Sequence, residues 1–248
     1  FAMQSFIIAM ILLIAFGTII QMIHHKNLTY FLNNAKKAKL QATREIGTGE
    51  RVSILAKTAV VDIGTTAELG FGKRRLSHVL GMYGTIIFWV SSAMLVFCYT
   101  GADKSSSTIW SMLWHVGAIL TCIGGYWFWL FLRVDVSAEA HPWYRIIKAD
   151  LFVLALLACS TFGLAWSYTQ FNGQVGLSFL FLTLFVASNL VLFGGVYWSK
   201  FAHMFYKPGA AIQKNLAEAD GSRDNLPPLA DAPKQFGLGI KREEPKHY

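Results

Sequence analysis

Five apolar runs, each long enough to cross a bilayer, constrain this chain more than any other feature of its sequence. They are Ser5–Ile23, Val79–Tyr99, Ile109–Leu132, Leu151–Thr169 and Val175–Trp198. Crossing about 30 Å of hydrocarbon takes roughly 20 helical residues. Backbone polar groups find no partner in lipid, so each run must be a helix or part of a closed barrel. The two-residue alternation of a barrel strand is absent. The sequence therefore predicts an all-α integral membrane bundle of five helices. No long internal repeat relates the runs, which argues against a two-fold transporter. The first run has no basic residues before it and no small-residue cleavage site after it, so it is expected to remain as a span.

Charge placement predicts how the bundle sits. Of the 22 Lys and Arg, 21 fall on one side if the five spans alternate. The positive-inside rule makes that side cytoplasmic, with the N-terminus outside and the C-terminus cytoplasmic. The expected location is the cytoplasmic (inner) membrane. Topology alone then accounts for the net charge of +8, and no nucleic-acid partner is needed.

Four regions follow. Residues 1–23 form the first transmembrane helix, 24–77 a cytoplasmic basic segment, 78–206 a four-helix membrane core, and 207–248 an extended cytoplasmic tail. Within the basic segment, Leu32–Thr43 reads as helical and the more apolar Lys57–Leu69 as lying on the membrane surface. The tail holds five of the six prolines, a composition that suits extended chain docked on a partner. Cys98, Cys122 and Cys159 all fall inside spans without a CxxC pair. That excludes a zinc ribbon, a c-type haem attachment and an iron–sulfur cluster held by this chain alone.

Two of the seven histidines stand at matching depth. His78 opens the second span in Arg74-Arg75-Leu76-Ser77-His78, and His203 follows the fifth in Lys200-Phe201-Ala202-His203. The second and fifth spans of a five-span bundle run in opposite directions, so both histidines lie on one membrane face. Positions three, four and seven along a helix share a face. From His78 that face reads Gly81, Met82 and Thr85; back from His203 it reads Ser199, Gly195 and Ser188. Small residues beside an axial histidine leave room for a flat macrocycle, but they also line ordinary contacts between membrane helices. Lys73, Arg74, Arg75, Lys200 and Lys207 could pair with propionates, although positive-inside anchoring explains them equally. His24, His25, His141 and His247 read as solvated or interfacial, and His115 as a polar group in the third span with a lesser claim as ligand.

At these residues the chain resembles the cytochrome b family of nitrate reductase gamma subunits and heterodisulfide reductase membrane subunits. Within it, the chain looks most like the membrane anchor associated with adenylylsulfate reductase. The resemblance rests on Arg74-x-x-x-His78 followed by Tyr83-Gly84, and on Lys200-Phe201-x-His203-Met204-Phe205 followed by Pro208. It covers roughly residues 73–208. It implies one haem b held by His78 and His203, and exchange with a membrane quinone near Tyr83, Tyr197, Lys200 and Arg74. It also implies a cytoplasmic iron–sulfur or flavoprotein partner. Two-haem members carry further histidines where this chain has Phe88 and Phe185, so the second haem is expected to be absent. A haem-free anchor tethering a cytoplasmic redox enzyme is the alternative. A transporter or channel is disfavoured, because no Asp, Glu, Lys or Arg lies mid-span. No serine, histidine and carboxylate set shares a depth, which argues against a hydrolase.

Overall fold

The computed structural model describes residues 2–24, 26–69, 72–99, 108–133, 144–196, 199, 201, 203–222, 235–236 and 240–241. For Asn27, Glu68, Thr108, His203 and the last four residues only the backbone is described. The expectations placed on His25, His141, Tyr197, Lys200 and His247, and on the side chain of His203, lie outside the described residues.

The protein is a multi-pass, all-helical membrane bundle. Five segments are long and apolar enough to span: Ala2–His24, Lys73–Cys98, Ile109–Leu132, Lys148–Phe171 and Val175–Gly194. We label the helices α1 (Ala2–His24), α2 (Asn27–Gln41), α3 (Thr48–Lys57), α4 (Lys73–Cys98), α5 (Thr108–Trp127), α6 (Leu151–Phe171), α7 (Val175–Gly194) and α8 (His203–Ala219). A π-helical stretch, Phe128–Leu132, extends α5 to the end of its span. Outside the helices, Gln235–Phe236 pairs antiparallel with Ile240–Lys241.

Two hairpins, α4–α5 and α6–α7, make the tightest packing, and α5 against α6 joins them. The α6–α7 turn is a glycine-capped helix end. Gly173 takes φ +67, and Gln174 N–H reaches back to the Thr169 carbonyl at 2.9 Å. That left-handed position favours glycine, and its bonds satisfy carbonyls the ending helix leaves open. Helix α1 packs mainly on α7 and also on α4. Its Met10 joins Ala155, Cys159, Leu192, Phe193, Val196 and Phe201 in the main core.

One end of the bundle carries an added layer of α2, α3, a π-helical stretch Thr58–Gly64 and α8. The helical patch expected at Leu32–Thr43 is α2. Helix α8 docks on this layer through Asn215, whose amide donates to Thr58 Oγ1 and to Asp62 Oδ2, each at 2.7 Å. Thr43 and Arg44 close its far end: both backbone N–H groups donate to the Asp220 carbonyl, and Arg44 Nε donates to Ala219 O. Glu50 hydrogen-bonds Arg44 and holds its guanidinium above the usual arginine pKa, chiefly through that bond and then through its charge. Residues 207–219, expected to be extended, are thus helical. Pro208 sits inside α8 and is followed by strong helix formers.

Candidate functional site

Helix α4 bears most of the sequence-predicted site, and its faces differ in construction. One stripe, Ser77, Gly84, Phe88 and Ser91, is buried against α5. There the backbones nearly touch. A Cβ on Gly84 would lie 2.5 Å from Thr121 N, and one on Gly117 would lie 2.5 Å from Phe88 N. A Cβ on Gly124 would lie 2.4 Å from Gly81 N. Ser77 Oγ donates to the Gly124 carbonyl at 2.8 Å. Gly117 and Gly124, seven residues apart, occupy one face of α5. Small residues permit this approach where lipid offers helices no hydrophobic reason to associate.

The adjacent stripe of α4 holds His78, Thr85 and Trp89, which share a helical face. His78 is exposed. A Cβ on Gly81, three residues on, would meet nothing within 4 Å, so this margin of the helix is open. Thr85 is buried and donates to the Gly81 carbonyl at 2.7 Å, with Thr121 Oγ1 at 3.4 Å. Gly81 and Thr85 therefore serve the α5 contact as well as flanking His78.

Trp89 turns the stripe toward α7. Its ring stacks on Phe201 at 6.0 Å between centroids and tilts against Phe193 at 5.4 Å. Its indole Nε1 is buried without a hydrogen-bond partner among the described residues. Deeper in the bundle, Phe88 meets Phe185 edge-on at 6.4 Å. Trp114 lies 5.0 Å from Phe88, and Trp166 stacks on Phe185 at 6.1 Å. Phe88 on α4 and Phe185 on α7 thus face each other, and aromatic rings fill the space around them.

The exit from the fifth span differs from the sequence expectation. Helix α7 ends at Gly194, short of Trp198, and His203 is the first residue of α8. Gly195 and Ser199, which lie between α7 and α8 in the chain, are buried. Gly195 N–H donates to the Val191 carbonyl and Ser199 N–H to the Gly195 carbonyl, each at 2.9 Å, while Ser199 Oγ accepts from Phe201 N–H at 3.2 Å. Hydropathy continues through Trp198, whereas α7 ends at Gly194.

The other predicted groups have local duties. Tyr83 donates its hydroxyl to the Gly64 carbonyl at 2.7 Å. Arg75 donates from Nε to the Thr65 carbonyl and from Nη2 to Thr65 Oγ1, both at 2.8 Å. These two tie the 58–65 stretch to α4, while Arg74 is half-buried. His115 Nδ1 lies 2.7 Å from the Ser111 carbonyl, which only accepts, so Nδ1 carries the proton. Nε2 then accepts from Ser167 Oγ at 2.8 Å. Both ring nitrogens of His115 serve α5 and its contact with α6.

Sequence reasoning missed two features. One is the glycine contact of α4 with α5, for which the seven-residue spacing of Gly117 and Gly124 was the available signal. The other is Arg133, which pairs with Asp150 through both nitrogen edges while its guanidinium lies 4.2 Å over the Trp129 ring. This pair closes α5 onto α6, and its partners gave no pattern in the sequence. No known family, characterised protein or solved structure matches the chain.

Proposed function

We propose that this chain is the b-type cytochrome membrane subunit of a respiratory oxidoreductase in the cytoplasmic membrane. It relays electrons between a membrane quinone and a cytoplasmic iron–sulfur or flavin partner. The observation that carries this reading is the register of α4 against α7. Phe88 opposes Phe185, the two positions at which two-haem members of the resembled family carry their further histidines. This is the pairing of second and fifth spans that the resemblance to nitrate reductase gamma and heterodisulfide reductase subunits requires. The aromatic cluster at Phe88 and Phe185 is in keeping with a single haem.

The residues present fit such a group. His78 is exposed on a margin that Gly81 leaves open. Trp89, on the same stripe, packs against Phe193 and Phe201 and seals its deeper side. Lys73, Arg74 and Arg75 add positive charge one turn away. His78 and His203 would hold the iron, and a haem with two imidazole ligands supplies one-electron transfer without an open position for oxygen. The chain's own part is to fix the His78 ring on a helix braced by α5 and to keep water out with Trp89, Phe193 and Phe201. Burial and neighbouring hydrogen bonds tune the potential.

A haem-free anchor for a cytoplasmic redox enzyme is the second reading, favoured by the packing of Trp89 on Phe193 and Phe201 between α4 and α7. Reduced-minus-oxidised spectra of the purified chain separate the two. A b-type band in the wild type, abolished in folded His78→Ala and His203→Ala variants, is the expected result. A folded wild type with no band, after expression with ample haem, leaves only the anchor.

A further inference from the structure

The face of α4 turned away from α5 and α7 carries a groove that lies off the stripe of His78 and shares Tyr83 with the quinone candidates. Leu76, Val79 and Tyr83 recur at helical spacing and form its floor. Gly64 and Thr65 face it from the preceding stretch, and Gly72 and Arg75 complete the lining. The space measures about 400 Å³, its lining is almost wholly apolar, and it opens outward. The preceding stretch is held in place by the Tyr83 bond to Gly64 and the paired Arg75 bonds to Thr65.

Depth and charge say what such a trough would take. The span begins at Lys73, so the groove occupies its first turns, where headgroups give way to acyl chains. Leu76 is 52% exposed, and Val60 on the neighbouring stretch is 65% exposed, both on surfaces that only lipid would favour. Lys73, Arg74 and Arg75 stand in succession at the polar end. A trough that is apolar along its length and cationic at its mouth complements an anionic amphiphile.

We propose that this groove binds one anionic phospholipid, its chain laid over Leu76 and Val79 and its phosphate set among Lys73, Arg74 and Arg75. A cation at a lipid surface strengthens such binding by roughly fivefold. Native mass spectrometry of the full chain in detergent tests this, using equal dioleoylphosphatidylglycerol and dioleoylphosphatidylcholine as probes. The wild type is expected to retain one phosphatidylglycerol in clear excess over phosphatidylcholine. Arg75→Gln should cut that preference roughly fivefold. Val79→Trp, which fills the groove without touching a charge, should lose the retained lipid while unfolding at the wild-type temperature. That variant decides the matter if Arg75→Gln proves unstable. Equal retention of both lipids by the wild type, undiminished phosphatidylglycerol on Val79→Trp, or displacement of the lipid by excess inorganic phosphate would overturn the assignment.

Discussion

Helix α4 meets α5 and α7 by opposite means. Against α5 it offers Ser77, Gly84 and the backbone at Gly81, and the partner answers with Gly117, Thr121 and Gly124. Against α7 it offers the rings of Phe88 and Trp89, and the partner answers with Phe185 and Phe193. The first contact is backbone to backbone and has no slack. The second is side chain to side chain, with ring centroids 6.4 and 5.4 Å apart. The α5 side is therefore a close backbone contact and the α7 side an aromatic seam.

Substitutions on the two sides should differ accordingly. The largest effect is expected from Gly117→Leu, which drives a side chain into the Phe88 backbone. Overpacking of this kind costs about 3 kcal/mol at its upper end. It should appear as a large fall in unfolding temperature and loss of a monodisperse peak. A stable, monodisperse variant would show that α4 and α5 are not this close. Trp89→Leu comes next. It opens a cavity among Phe193 and Phe201, at about 2 kcal/mol by the scale of large-to-small core changes. The bundle should stay folded, and the haem band, where present, should shift or weaken. An unchanged unfolding temperature would mean that Trp89 does not fill the seam. Ser77→Ala should cost the least, about 0.6 kcal/mol for one interhelical hydrogen bond in a membrane. Gly81→Ala, whose added carbon meets nothing within 4 Å, should fall within about 0.5 kcal/mol of wild type. A larger loss for Gly81→Ala would place a neighbour on the open margin beside His78.

Much of the frame was legible in the sequence because lipid leaves a chain few choices. All five spans appear as apolar runs, and α2 appears as a helical patch. What hydropathy does not register is the backbone. It carried the fifth span on to Trp198, although the helix stops at Gly194. Averaging composition over 207–248 hid α8. Its residues Ala210–Ala219 are good helix formers, and Asn215 supplies a bond to the layer beneath. The small residues around His78 were visible, but their use depends on which helix they face. Spacing along α4 placed Gly81 and Thr85 beside the histidine. Only the partner helix reveals that they also serve Gly124 and Thr121. Tyr83 and Arg75 were legible as interfacial residues. Their partners, Gly64 and Thr65, lie in a stretch whose path the sequence did not specify.

The opposition of α4 and α7 underlies the functional reading, and cysteine cross-linking tests it most directly. In a background with Cys98, Cys122 and Cys159 replaced by alanine, Phe88→Cys is combined with Phe185→Cys and the membranes are treated with a bifunctional maleimide, because facing aromatic side chains hold their backbones farther apart than a disulfide spans. The account predicts efficient cross-linking of the two, seen as altered mobility after cleavage in the α5–α6 connection. The control pair, Ile86→Cys with Phe185→Cys, should give none, because Ile86 lies on the exposed side of α4. Cross-linking in the control pair and not in the test pair would contradict the register and remove the support for a shared site at His78 and His203.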